Sequence, residues 1–264
     1  MFDFVCVGDA TRDLFLFLKE KPEFNGGKIP VDDIAWSLGG NGANVSVGLT
    51  RLGLKTALVT VFGDDDRGAW IKRELLKNNI NLEFSLTKNQ QSNLSVVLAA
   101  VGERTIFSYH GGELAEIKNI PPARWYYLTS GDFIVPEGKI AFNPGLRDRE
   151  KDLSVAQKAE VLILNKEEQK KLGIFGPKIT AVTDGKNGVI IYENGAKILE
   201  KPALDIPVLE TTGAGDAFAS GFLAALFYDK DLNTALDWGL RNSASVIQKV
   251  GAIEGLLNYE RLSS

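Results

Sequence analysis

Residues 211–216 read Thr-Thr-Gly-Ala-Gly-Asp, and small or apolar residues follow at helical spacing: Ala217, Phe218, Gly221, Phe222, Ala224, Ala225 and Leu226. An apolar run containing Pro207 precedes them and stops at Glu210. The pattern predicts an extended segment, a glycine turn and a buried helix beginning near Ala214. The first turn of a helix has backbone N–H groups without intrahelical partners, and their dipoles sum to a partial positive charge. Gly213, Ala214 and Gly215 are small enough to let an anion approach those N–H groups, so the turn is a candidate phosphate site. Asp216 falls in the same first turn. Its carboxylate can take the proton of a hydroxyl that attacks phosphorus beside the anion hole, which is what phosphoryl transfer to an alcohol requires. The plain alternative is an ordinary glycine-turn helix start with Asp as a first-turn residue.

Other residues could share that chemistry. Asp9 and Asp13 follow the strand-like FDFVCV and Gly8, where ligands of open α/β sheets bind, and two carboxylates there can accept hydrogen bonds from hydroxyls. Gly39, Gly40 and Gly42 form a tight turn ahead of a helix from Ala43 to Leu52, with Gly53 as its C-cap. Asn165 and Glu168 are three apart, so both can face a helix N-terminus as a capping box. Asp64, Asp65 and Asp66 are consecutive and cannot all face one ion on a regular element; a solvated turn and N-cap is expected. Arg104 can reach an anionic or hydroxylated ligand or be a plain hairpin charge.

Composition narrows the classes. The chain has 264 residues, 44% hydrophobic, with a net charge of −4 and no long block of like charge, so neither a nucleic-acid stripe nor a membrane-binding face is expected. Cys6 is the only cysteine and His110 the only histidine, which excludes an internal disulfide, a cysteine zinc cluster and a histidine-rich metal site. The Gly-Lys pairs at Gly27, Gly138 and Gly185 are not followed by Ser or Thr, so there is no Walker A motif. The opening MFDFVCVGDA has no secretory pattern, and the apolar runs are short for a membrane span; a cytoplasmic enzyme is expected.

The elements that must position these residues alternate. Strands are expected at 2–7, 55–62, 124–130, 139–143, 160–165 and 179–192, the last interrupted by a turn at 184–188; helices are expected at 43–52, 67–78, from about 166, from 214 and at 233–249. Short strands are expected within 14–36 and 82–108, the latter turning at Val101-Gly102-Glu103 and followed by His110-Gly111-Gly112. Only GDFIVPEG lies between the strands at 124–130 and 139–143, short for a parallel crossover. The reading is one α/β domain over 1–264, a three-layer α/β/α arrangement with a mainly parallel sheet.

TTGAGDAFASGFLAAL resembles the C-terminal signature of the ribokinase-like (PfkB) family of sugar and nucleoside kinases, and GGNGAN at 39–44 resembles its N-terminal one. The resemblance covers essentially the whole chain. It implies the ribokinase-like fold with a β lid over the sugar site. It implies Asp216 as catalytic base and Gly213, Ala214 and Gly215 as anion hole. Asp13, with Asp9, Gly39, Gly40 and Asn44, would bind the acceptor. Asn165 and Glu168 match the family's N-x-x-E motif, which acts on the magnesium–phosphate unit partly through water. Thr183, Gly185 and Gly188 match the nucleotide loop, and VGAIEGL resembles the closing segment beside the adenine, with Asn242 nearby. ATP and Mg²⁺ follow as cofactors. The family often has Asp before the two threonines, beside a monovalent-cation site; Glu210 stands here instead, which leaves potassium open.

Three acceptors stay open: a plain sugar, a nucleoside and a sugar phosphate. A nucleoside would want aromatic residues, for which Trp36 and Phe107 are candidates. A sugar phosphate would want lid cations, for which Arg12 and Arg104 are candidates. A non-catalytic sugar- or nucleotide-binding regulator is the reading of another class. The edges of an exposed lid sheet could be covered by a second copy in a homodimer.

Overall fold

The structure, a computed structural model, describes residues 1–100, 103–111, 114, 117–130, 133–145, 149–173 and 177–264. The tip of the expected hairpin turn at 101–102, Gly112 and residues 131–132 of the short crossover lie outside them. In chain order the elements begin with β1 (Phe2–Val7), β2 (Thr11–Leu18), β3 (Asp33–Gly39), α1 (Asn41–Arg51), β4 (Thr56–Val59), β5 (Val61–Gly63) and α2 (Asp66–Lys77). They continue with β6 (Leu86–Lys88), β7 (Leu94–Ala100), β8 (Glu103–Tyr109), β9 (Ala123–Leu128), β10 (Lys139–Phe142), α3 (Arg149–Ala156), β11 (Val161–Asn165) and α4 (Lys166–Leu172). The last are β12 (Ile179–Thr183), β13 (Val189–Glu193), β14 (Ala196–Lys201), α5 (Ala214–Phe227), α6 (Leu232–Val246) and α7 (Tyr259–Ser263).

The main sheet has the order β14-β13-β12-β11-β10-β9-β1-β4. From β4 to β12 every pairing is parallel; β13 and β14 add an antiparallel edge. Parallel strands covered on both faces read as continuous apolar runs, and β1 shows why. Phe4 and Cys6 pack into a core with α1, α5 and α6, whereas Val5 and Val7 pack into a second core on the other face. Cys6 is fully buried, and burial pushes its thiol far above the ordinary range, which suits an inert core position.

The short crossover is real. β9 and β10 are parallel, and residues 129–138 connect them. The sheet face that a crossover helix would cover is packed instead by Leu114, Ile117, Ile120 and Phe133. The expected strand 55–62 breaks at Thr60 into β4, which joins the main sheet, and β5, which pairs with β6. The edge strand β14 and the helix α3, both absent from the expectation, lack strong apolar periodicity: β14 reads AKILEK and α3 reads REKDLSVA.

The lid is a four-stranded sheet, β3-β2-β7-β8. It begins at Thr11, not at residue 14, so Asp13 stands within lid strand β2 and not at the end of β1. Register puts Thr11, Asp13, Phe15 and Phe17 on one face and Arg12, Leu14 and Leu16 on the other. The first face is turned inward: Asp13 and Phe15 are buried. The second carries exposed Ile34, Trp36, Phe107 and Tyr109.

Candidate active site

α5 starts without a side-chain cap. Its N-cap is Gly213, in the left-handed region at φ 79, where a Cβ would run into Ala252. α2, α4, α6 and α7 begin differently, with Asp65, Asn165, Asp231 and Asn258 accepting from backbone N–H groups of the first turn. α1 also lacks a side-chain cap, but its Ala43 N–H donates to the Asp9 carbonyl at 3.1 Å. The Ala214 N–H closes a turn on the Thr211 carbonyl at 3.2 Å, so it is already engaged; of the residues expected to form an anion hole, Gly213 and Gly215 are the better placed.

Asp216, in that first turn, accepts a hydrogen bond from Asn44 Nδ2 at 2.8 Å. The amide orientation follows from charge, since the opposite one would set two oxygens against each other. Asn44 is buried, and its Oδ1 has no partner among the described residues. An unpartnered buried acceptor is costly unless a donor fills it, and a ligand hydroxyl is such a donor. Burial raises the Asp216 carboxyl to about 6; the Asn44 amide opposes this and the charge of Asp13 adds to it. Glu168 is also raised, by burial first and then by Asp216, while the Asn165 hydrogen bonds pull it down. Three carboxyl groups therefore share one electrostatic neighbourhood.

Asp13 is held from several sides. Thr11 Oγ1 donates to its Oδ1 at 2.6 Å, and Ser95 hydrogen-bonds it as well. Burial raises its carboxyl; these hydroxyls lower it, and Glu210 and Glu254 raise it further. A Cβ on Gly39 would overlap the Asp13 carboxylate, so only glycine leaves room there. Strand register sets Ser37, Asp13, Ser95 and Ser108 side by side across all four lid strands. The next level toward the far end of the lid is apolar: Ala35, Phe15, Val97 and Ile106.

On the other side of α5 lies a cavity of about 480 Å³. Thr183, Gly185 and Gly188 line it from the β12–β13 turn, and Ala214 and Gly215 from the start of α5. Leu204, Ile206, Val208, Leu240 and Ile247 complete an apolar wall that the sequence reading did not single out. Asn165 and Glu168 form the expected capping box: Asn165 Oδ1 accepts from the N–H of Glu167 and Glu168, and Glu168 Oε2 from the Asn165 N–H at 2.8 Å.

Two expectations change. Asn242 is fully buried and lies outside the cavity lining: its Nδ2 donates to the Ala217 carbonyl and Ser220 Oγ, and its Oδ1 accepts from the Leu257 N–H at 2.8 Å. It is a strut tying α6 to α5 and to the closing segment. Arg104 is not a free hairpin charge; it pairs with Glu210 at 3.1 Å, and so occupies the carboxylate that the resemblance would set beside a monovalent cation. Asp9 is buried and supports α1 through its carbonyl. Asp65 caps α2, as expected of the Asp64–Asp66 run. Among the described residues, no helix is long and apolar enough to cross a membrane.

The chain is 27% identical to an ATP-dependent ribose-1-phosphate kinase of Halopiger xanaduensis, over 94% of this chain and 93% of that protein. It is 28% identical to a nucleoside kinase of Methanothermobacter thermautotrophicus, over 88% and 85%. The crystal structure of Methanocaldococcus jannaschii nucleoside kinase, described as an archaeal member of the ribokinase family, superposes with a TM-score of 0.86 at 22% identity, covering 100% of this chain and 97% of that one; the fold is ribokinase-like. The profile of the pfkB family carbohydrate kinases matches residues 1–161 and 163–258. By sequence profile and by fold, then, the chain belongs to the pfkB family of carbohydrate kinases.

Proposed function

We propose that the protein transfers the γ-phosphoryl group of ATP to a primary hydroxyl of an uncharged sugar or nucleoside, with Asp216 as general base. The observation that carries this reading is the position of Asp216. It stands on the first turn of α5, whose Ala214 and Gly215 line the cavity on one side, while Asn44 and the Asp13 row lie on the other. ATP would fill the cavity, and the name of the Halopiger relative supports ATP as donor. The acceptor would rest under the lid, its hydroxyls donating to Asp13 and to Asn44 Oδ1. Asp216 takes the proton of the attacking hydroxyl; the acceptor oxygen bonds to the γ-phosphorus as the bond to the β–γ bridging oxygen breaks, and ADP leaves. The N–H groups of Gly213 and Gly215 hold the charge that moves.

Glu168 would hold a hydrated Mg²⁺ through water. That ion tolerates few protein ligands, and among the described residues no group of three or more carboxylate, His or Cys side chains is gathered to hold a metal. When bound, Mg²⁺ neutralises phosphate charge.

The choice of an uncharged acceptor rests on where the lid residues point. Arg12 lies on the outer lid face, 4.0 Å from the Trp36 ring centroid and 4.9 Å from that of Trp70, and Arg104 is taken by Glu210. The cations considered for an acceptor phosphate thus already have partners, Arg12 the two rings and Arg104 Glu210, and the inward row at Asp13 is hydroxyl-rich. Trp36 and Phe107 share the outer face, so a nucleoside base would meet Phe15, Val97 and Ile106 instead. The test is product mass spectrometry and kcat/KM with MgATP across ribose, fructose, adenosine, inosine and cytidine beside fructose 6-phosphate. A neutral acceptor should lead; a preferred phosphorylated acceptor would contradict the assignment.

A further inference from the structure

Arg104 stands on β8, an edge strand of the lid, level with Ala99 and Phe17. Its Nη1 donates to Glu210 Oε1 at 3.1 Å and to Thr212 Oγ1 at 2.8 Å. The Glu210 side chain is 3% exposed, against 36% for Arg104. Glu210 also accepts from the Thr212 N–H at 2.9 and 2.8 Å and from the Thr212 hydroxyl at 2.7 Å. The Leu209 and Glu210 N–H groups are fixed in turn to the Ile247 carbonyl at the end of α6. Thr212 immediately precedes Gly213, the N-cap of α5. A buried carboxylate has lost its hydration and is stable only while paired. Lifting β8 from the body would strip Glu210 of that cation. At the other lid edge, Ser37 Oγ on β3 donates to Glu254 at 3.2 Å. Both edge strands are therefore fastened to the body, and only the Arg104 fastening bears on the turn that opens α5.

We propose that Arg104 is a positioning residue for phosphoryl transfer: its pairing with Glu210 and Thr212 clamps the lid to the α5 turn and keeps water from the reacting phosphate. This inference rests on the kinase reading above. A closed lid matters because water can replace the alcohol, giving ADP and inorganic phosphate without phosphorylated acceptor.

The test uses the full chain and the variants Arg104→Ala, Arg104→Lys, Glu210→Gln and Arg104→Ala with Glu210→Gln. Lys21→Ala is the control, since it removes a lid ion pair whose two side chains are 78% and 72% exposed. Two readouts are taken: amide hydrogen exchange in β7 and β8, and the ratio of ADP formed to acceptor phosphorylated. Arg104→Ala should speed lid exchange by about tenfold or more, the scale of a lost hydrogen bond to a charged group, and raise the ADP-to-product ratio. Glu210→Gln should do the same in lesser degree, the double variant should add nothing beyond Arg104→Ala, Arg104→Lys should recover part, and Lys21→Ala should match the wild type. Wild-type exchange together with a wild-type ratio in Arg104→Ala would overturn the proposal. So would a rise in acceptor KM alone, which would make Arg104 an acceptor ligand. If Arg104→Ala does not fold, Arg104→Lys and Glu210→Gln carry the comparison. If the wild type phosphorylates no acceptor, the kinase reading fails while lid exchange still decides whether the clamp exists.

Discussion

The Asn44 amide donates to the Asp216 carboxylate at 2.8 Å, joining the first turns of α1 and α5 across 172 positions of sequence. That bond stabilises the ionised carboxylate against burial, which pulls the other way. A base must be ionised to accept a proton, so kcat/KM should fall on the acid side with a midpoint near 6, the value to which the carboxyl is raised. Asn44→Ala removes a donor to the charged form and should move that midpoint up by about one pH unit. A pH–rate profile checks both; an acid limb near 4 in either protein would contradict the account.

The same carboxyl affects stability. Its folded-state pKa lies above that of the unfolded chain, so the folded state binds the proton more tightly, and stability falls as pH rises from about 4 to about 6. Asp216→Asn removes that loss. Thermal unfolding should show the variant more stable than wild type at pH 8 by ~1–2 kcal/mol, a figure discounted for the carboxyl's partial exposure, with the gap closing toward pH 4. A gap that widens toward low pH would have the wrong sign.

Gly39 tests the acceptor side. A Cβ there would displace the Asp13 carboxylate, which lies on the inward lid face. Gly39→Ala should raise acceptor KM by about tenfold or more, the scale of one lost charge-assisted hydrogen bond, while ADP affinity by calorimetry stays unchanged. Equal losses on both sides would show that the lid does not act through Asp13.

How much was legible in the sequence depended on range. The start of α5, the Asn165–Glu168 capping box and the Asp65 cap are local patterns, and all are present. The Ser37, Asp13, Ser95 and Ser108 row was not legible, because it depends on the register of four strands spread over residues 11–109, and no single strand reveals its partners. Asn242 shows the converse limit. A polar residue near a suspected site reads as a ligand in sequence, yet burial and three internal hydrogen bonds make it a strut. Arg104 could be read as a lid charge, but its partner Glu210, 106 positions away, could not.

Asn242 gives a prediction of its own. Asn242→Ala strips partners from the Ala217 carbonyl, Ser220 and the Leu257 N–H in a dry interior. It should cost ~2–4 kcal/mol of stability by denaturant unfolding, while the folded variant binds ADP as the wild type does. Lost ADP affinity with unchanged stability would return Asn242 to the nucleotide site.

The most direct measurement of the central claim is coupled ADP release with MgATP and the best acceptor of the panel, for wild type and Asp216→Asn side by side. The account predicts turnover in the wild type and a loss of about 10³-fold in kcat in the variant, with ATP and acceptor still bound by calorimetry. Turnover that survives Asp216→Asn would contradict Asp216 as the base while leaving the fold and the family as they stand.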